Sequence, residues 1–353
     1  MKFDGRDPYA LKSPASQGGL SLIELMIALL LSSFITLGIL TMYLDSTETS
    51  QVSRSLARVQ EAGRISLDLI ARDVRMAGFA GCADPLQDLS PAFDASTLDA
   101  VFFGSSLRGA RVGGDNWDDA VGNVDVAALE DNAVVDSDVL QLRRASGPFV
   151  TLDSDMTSSG STIDTDSDQA GANFPIGEIA LITNCVNADV FTVGDPSGFA
   201  VNEINHDALA GTYPEGSRVF HFNTSVYWVG DTGRTDQRGN AVFALYQNGL
   251  EVVTGIERLQ TLYGVRANDS FLRFLTGDEV AANEWNQVDV VQVGVLVSDE
   301  QRVMKIADAK SYTLPGITVQ PAGTAGADAT YPADGRLRTT FAMTVKLRNQ
   351  IDD

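Results

Sequence analysis

Gly18-Gly19-Leu20-Ser21-Leu22-Ile23-Glu24, with the apolar run that continues to Leu44, is the stretch that organises this chain. From Leu20 to Leu44 the only charged side chain is Glu24. As a helix rising ~1.5 Å per residue, these 25 residues reach ~37 Å, enough to cross a ~30 Å hydrocarbon layer with some tilt. A carboxylate in such a span costs ~2.5–3.5 kcal/mol at its centre and less near its end. Intramembrane ionisable groups normally have partners, so Glu24 is a candidate functional residue.

No proline lies between Pro14 and Pro85, which leaves the helix free to continue beyond the apolar run. Past Leu44 the pattern turns amphipathic. Val52, Leu56, Val59, Gly63, Leu67, Ile70, Val74 and Ala77 recur at steps of four and three, one face of a 3.6-residue period. Ile65, Leu69 and Met76 supply a second row, and Asp68 with Arg72 an i,i+4 pair on the opposite face. Gly78 is suited to the C′ stop, just after Arg75 at the negative end of the dipole.

Asp84–Asn132 reads as loops with short strands. Clearer strands are expected at Asp138–Arg143, Glu178–Cys185, Asp189–Val193, Ser217–Val229, Ala241–Gln247, Arg258–Arg266, Gln287–Val297 and Arg338–Leu347. Gly230–Gly239 and Gly323–Gly335 read as surface turns or loops. One long helix followed by many strands predicts an α+β fold with a mostly antiparallel sheet.

The chain has 353 residues and 44% hydrophobic content, enough for a sizeable core. Its formal charge is −22; residues 1–19 carry Lys2, Arg6 and Lys12 against Asp4 and Asp7, so without them it becomes −23. A surface that acidic repels phosphate backbones and argues against nucleic-acid binding by this chain. An ordinary secretory signal has its apolar segment before the cleavage site, whereas here that segment would be retained. The weak positive charge of residues 1–19 predicts that they stay cytoplasmic and the rest faces outward. In that compartment Cys82 and Cys185, the only cysteines, are expected to form one disulfide rather than two buried free thiols. The loop so closed, of about 104 residues, is worth up to ~4.7 kcal/mol in the chain-entropy model.

Motifs for chemistry are scarce. No Gly precedes a Lys, which excludes a Walker A loop, and no GxSxG elbow occurs. His206 and His221 stand apart, without zinc spacing. Asp164, Asp166 and Asp168 alternate like the first half of a calcium loop, but Gln169 and Pro175 occupy the positions where an EF-hand needs Gly and Glu. A solvated acidic loop is the better reading of that weak calcium candidate. No enzyme, cofactor or metal is expected.

A basic leader, a Gly, then an apolar helix with a carboxylate at its fifth position resembles the type III signal of type IV prepilins. The resemblance implies cleavage by a prepilin peptidase between Gly19 and Leu20, N-methylation of Leu20, and Glu24 as the carboxylate that fixes subunit register. The helix end Leu67-Asp68-Leu69-Ile70-Ala71-Arg72-Asp73-Val74-Arg75-Met76-Ala77-Gly78-Phe79 looks like the PilW-type minor pilins. So do Thr183-Asn184-Cys185, Ala188–Phe191, Leu245–Gly249, Val253–Gln260 and the closing strand Arg338–Asn349. Membership implies a type IV pilin-like fold, in four parts: leader 1–19, filament-core and membrane helix 20–44, amphipathic helix 45–78, and β-rich globular part 79–353. It also implies residence in the inner membrane with a periplasmic globular part, then a place in an extracellular pilus tip. The partners implied are other minor pilins, the major pilin, the prepilin peptidase and a large tip adhesin, in support of piliation, twitching motility and surface attachment. Two alternatives share parts of this pattern: a GspJ-like minor pseudopilin of a type II secretion system, and a membrane-tethered enzyme or binding protein.

Overall fold

A computed structural model describes residues 19, 21–82, 89–91, 105–113, 132–166, 173–195, 200–207, 209–236, 238–268, 271–281 and 283–349. The chain divides into two compact units, Met1–Gln51 and Val52–Asp353. A single helix, α1 (Leu22–Met76), begins in the first and continues into the second.

In the first unit the helix is exposed along its whole apolar run, and it is long and apolar enough to cross a membrane. Its hydroxyls are turned inward onto the helix itself. Ser32, Ser33, Thr36 and Thr41 donate to the carbonyls of Leu29, Leu30, Ser32 and Gly38 at 2.7–3.0 Å. That back-bonding hides the polar atoms that an apolar surrounding would leave unsatisfied.

In the second unit α1 buries Val59, Gly63, Leu67, Ile70, Ala71 and Val74. The expected stripe is buried from Val59 to Ala77, and polar residues join it. Leu56 and Ile65 remain 39% and 44% exposed, while Ser55, Ser66 and Asp73 are buried. Asp73 finds hydrogen-bond partners on the sheet, and Ser66 bonds the Gly63 carbonyl at 3.0 Å, so polar residues occupy the inner flank. The expected Asp68–Arg72 pair gives way to Arg64–Asp68 at 3.7 Å and Arg72–Asp73 at 3.6 Å. Gly78 does end the helix, at φ 78°, where its N–H donates to the Arg143 carbonyl at 2.8 Å. Asn349 caps the same end by donating to the Ala77 carbonyl at 3.1 Å.

The strands run, in chain order, β1 (Leu89–Pro91), β2 (Leu107–Arg111), β3 (Asp138–Thr151), β4 (Ile163–Asp164), β5 (Ile179–Thr183) and β6 (Ala188–Thr192). They continue with β7 (Glu203–Ile204), β8 (Arg218–Thr235), β9 (Ala241–Gln247), β10 (Leu250–Thr254), β11 (Ile256–Asn268) and β12 (Phe271–Leu275). The last are β13 (Val288–Arg302), β14 (Tyr312–Leu314), β15 (Ile317–Pro321), β16 (Ala329–Tyr331) and β17 (Arg336–Lys346). The first sheet has the order β1-β6-β5-β8-β3-β2, with β9 and β10 added along the far half of β8. The second has the order β12-β11-β13-β17 and is antiparallel throughout. A three-stranded sheet, β14-β15-β16, packs Leu314, Ile317 and Val319 with Leu296 of β13.

All eight expected strands are present. Two expected loops are partly strand: β8 extends to Thr235, so that turn shrinks to Asp236–Asn240, and β16 lies inside Gly323–Gly335 with Ala329 and Tyr331 buried. Both runs are short and flanked by glycines, so their strand character comes from a partner strand rather than from local pattern.

One core joins the layers. Ile70 and Val74 of α1, Leu140 and Tyr227 of the first sheet, and Leu259, Val293 and Val345 of the second all belong to it. The two sheets meet along β3 and β11. Ser137 Oγ accepts from the Leu259 N–H at 3.0 Å, Gln260 donates to the Asp136 carbonyl at 2.7 Å, and Asp138 accepts from the Thr261 N–H at 2.7 Å.

Candidate assembly site and the joint at the helix end

Glu24 lies in the first turn of α1, where its Oε2 accepts the Ser21 N–H at 3.0 Å. The carboxylate therefore caps a helix N-terminus, a position the macrodipole favours. Gly19 is exposed, with open space where a Cβ would stand. The cleavage and methylation expected at Leu20 fall outside the described residues.

At the other end of α1 the chain is pinned repeatedly. Cys82 and Cys185 form the expected disulfide, with Cα atoms 4.7 Å apart and a sequence separation of 103. The turn that presents Cys185 is braced locally. Thr183 Oγ1 accepts the Cys185 N–H at 3.1 Å, and Asn184 Oδ1 accepts from Val186 and Asn187 at 3.0 and 2.7 Å. Gly81 has φ 75° and its ideal Cβ would lie 2.7 Å from the Phe220 ring, so only glycine fits there.

Asp73 is the polar centre of this joint. It accepts from Tyr227 at 2.7 Å and Gln247 at 3.2 Å, and Arg144 stands 3.5 Å away. Burial, then the hydrogen bond to Asp73, pushes the Tyr227 hydroxyl far above its ordinary pKa, so it stays a donor. Further back along the helix, Arg58 grips Asp299 of β13 through two hydrogen bonds of 3.0 and 2.6 Å. Helix α1 is thus tied to both sheets by side chains that its periodicity did not single out.

A second buried polar set lies around β17. Arg338 makes two hydrogen bonds to Glu257, at 2.7 and 2.9 Å, and stands 2.9 Å from Asp334. Arg336 reaches Asp236 at 3.2 Å. Burial tends to raise the Asp236 pKa, but hydrogen bonds from Asn240, Arg238 and Arg336 hold it well below the ordinary range. Asp138, in the seam between the sheets, goes the other way. Burial raises it to about 7 against the lowering pull of Thr261 and Arg111.

Two members of the acidic triplet lie among the described residues. Asp164 pairs with Glu203 across β4 and β7, Asp166 accepts the Thr151 N–H at 3.0 Å, and Asp168 lies outside the described residues. Among the described residues no three His, Cys, Asp or Glu form a metal-binding group. His221 bonds Glu178 at 2.7 Å and stacks on Phe174, and His206 bonds the Ser161 carbonyl at 2.9 Å. Each histidine is accounted for by packing.

Residues 14–40 match the family model described as the prokaryotic N-terminal methylation motif, and residues 227–349 match Type IV Pilus-assembly protein W. No curated protein matches the chain. A long apolar helix that carries a methylation motif, ahead of a mostly antiparallel β domain, is the α+β arrangement of a type IV pilin-like fold. Over residues 227–349, from within β8 to just past β17, the chain is similar to the PilW family. The resemblance at Leu67–Phe79 and Thr183–Phe191 lies outside the matched residues.

Proposed function

We propose that the chain is a minor pilin that helps prime type IV pilus assembly and takes a place in the tip complex. The observation that carries this reading is the presence of a PilW match and an N-methylation motif on one chain. In this reading residues 1–19 are a leader removed by the prepilin peptidase, Leu20 becomes the methylated N-terminus, and residues 20–44 anchor the chain in the inner membrane. The globular part, from residue 79 onward, faces the periplasm before assembly. The exposed apolar helix supports assembly directly: outside lipid it is a large hydrophobic patch, and helices of neighbouring pilins are the natural replacement for lipid. The joint at Asp73 and Cys82 then holds the sheets to the helix when load passes along the filament. The protein acts as a structural subunit rather than an enzyme, and through pili it supports twitching motility and attachment.

The deciding experiment is deletion of the gene with complementation. Loss of surface pili and of twitching, both restored by the parent chain, is the expected result. Normal piliation with blocked protein secretion would assign the chain to a secretion pseudopilus instead.

A further inference from the structure

Strand β12, Phe271-Leu272-Arg273-Phe274-Leu275, forms one edge of the second sheet and pairs, among the described residues, only with β11. Phe271, Leu272 and Phe274 are 69%, 42% and 46% exposed, so both faces of this edge strand show apolar side chains to solvent. Natural edge strands are normally short, charged or covered, because an open apolar ladder recruits another strand. Here the only charge is Arg273, and it is already held by Glu284 at 2.7 Å.

The strand is complementary to itself. Read backwards about Arg273, the sequence exchanges Phe for Leu and keeps its pattern. An antiparallel partner of the same sequence would set Phe271 opposite Leu275, Leu272 opposite Phe274, and Arg273 opposite Arg273. Each central arginine brings its own Glu284, so the pairing adds no net charge at the seam even though the chain carries −22 overall. Charges elsewhere on the two copies are screened beyond a Debye length of ~8 Å.

We propose that two copies of this chain pair edge to edge through β12, in a two-fold contact that continues the second sheet from one copy into the other. Such a contact is isologous, as the self-complementary register requires. It is small beside the ~1,200 Å² of a standard soluble interface. Confinement of both copies to one membrane raises their effective concentration and makes a short ladder sufficient. The inference rests on membrane anchoring and not on a role in pili.

The test uses the full chain in its membrane, where Cys82 and Cys185 are already bonded to each other, so an added cysteine is the only free thiol. Residues directly opposite in an antiparallel pair have Cα atoms ~4.5–5.5 Å apart, within disulfide reach. Under mild oxidation Arg273→Cys should give a covalent dimer, and Phe271→Cys alone should not. Co-expressed Phe271→Cys and Leu275→Cys chains, which retain Arg273, should cross-link to each other. Adding Leu272→Glu should abolish the Arg273→Cys dimer while the Cys82–Cys185 bond stays closed to thiol reagents, which shows that the fold is intact. The proposal is overturned by no dimer at position 273, by equal dimer at 271 and 273, or by cross-linking to a different protein.

Discussion

Tyr227 on β8 donates a 2.7 Å hydrogen bond to Asp73 on α1, across 154 positions of sequence and with both side chains buried. This contact ties the helix end to the first sheet. A hydrogen bond to a charged acceptor contributes ~1.5–3 kcal/mol. Tyr227→Phe should therefore lower stability by about that amount, read as a fall in the urea midpoint of the detergent-solubilised chain. Asp73→Ala should cost more, because it also strips Gln247 and Arg144 of their acceptor. A double mutant no worse than Asp73→Ala would confirm the coupling; full additivity would remove it.

The disulfide gives a second expectation. Cys82→Ser should destabilise by ~2–5 kcal/mol, as loss of native disulfides does elsewhere. Thiol labelling of the denatured, unreduced parent should find neither cysteine free, and Cys82→Ser should expose Cys185 to the label.

Asp138 should make stability depend on pH with an unusual sign. Its folded pKa, raised by burial to about 7, lies above the ordinary ~3.9 of an unfolded Asp. The folded state thus holds the proton more tightly, so the contribution is complete below pH ~3.9 and is lost as pH rises through about 7. Asp138→Asn, which imitates the protonated form, should be more stable than the parent at pH 8 and should flatten the slope between pH 5 and 8. Equal slopes in denaturation midpoints would rule this out.

Gly63 marks a close approach. An ideal Cβ there would stand 2.3 Å from the ring of Phe341 on β17. Overpacking of this kind costs ~1–3 kcal/mol, against a helix-propensity gain of ~1 kcal/mol for Gly→Ala. Gly63→Ala should be net destabilising in the parent. In a Phe341→Ala background the same change should become neutral or favourable, and thermal melts of the four proteins decide it.

For Glu24 the expected outcome is separation of processing from assembly. In the proposed assembly, cleavage after Gly19 would create an α-amino group one helical turn away, and neighbouring pilins would bring others. In a low-dielectric bundle, carboxylate and ammonium attract strongly and set axial register. Glu24→Ala should be inserted and cleaved normally yet fail to co-purify with partner pilins, with surface piliation lost; Glu24→Asp should be intermediate. Partner capture and piliation at parental levels for Glu24→Ala would remove the register role.

What the sequence determined by itself follows from local physics. The unbroken apolar run and the absence of proline set one helix, Leu22–Met76, and Gly78 stops it because glycine tolerates a positive φ. Alternation and β-branched residues located eight strands of the two large sheets, β3, β5, β6, β8 and β9 in the first and β11, β13 and β17 in the second. Cys82 and Cys185 were legible as a pair because no third cysteine exists.

Tertiary structure alone decided which polar residues join the buried stripe of the helix. Burying Asp73 and Ser66 while leaving Ile65 exposed contradicts hydrophobicity at the level of the helix, and becomes favourable only once Tyr227 and Gln247 arrive from distant strands. The same holds for the Arg338–Glu257 pair and the Asp138–Thr261 contact, each made between strands far apart in sequence. It holds also for β12, which the sheet order leaves at an edge with Phe271 and Phe274 exposed. A sequence carries the propensity of each segment, but the cost of an unpaired polar group, or of an exposed apolar one, depends on which neighbour the fold supplies.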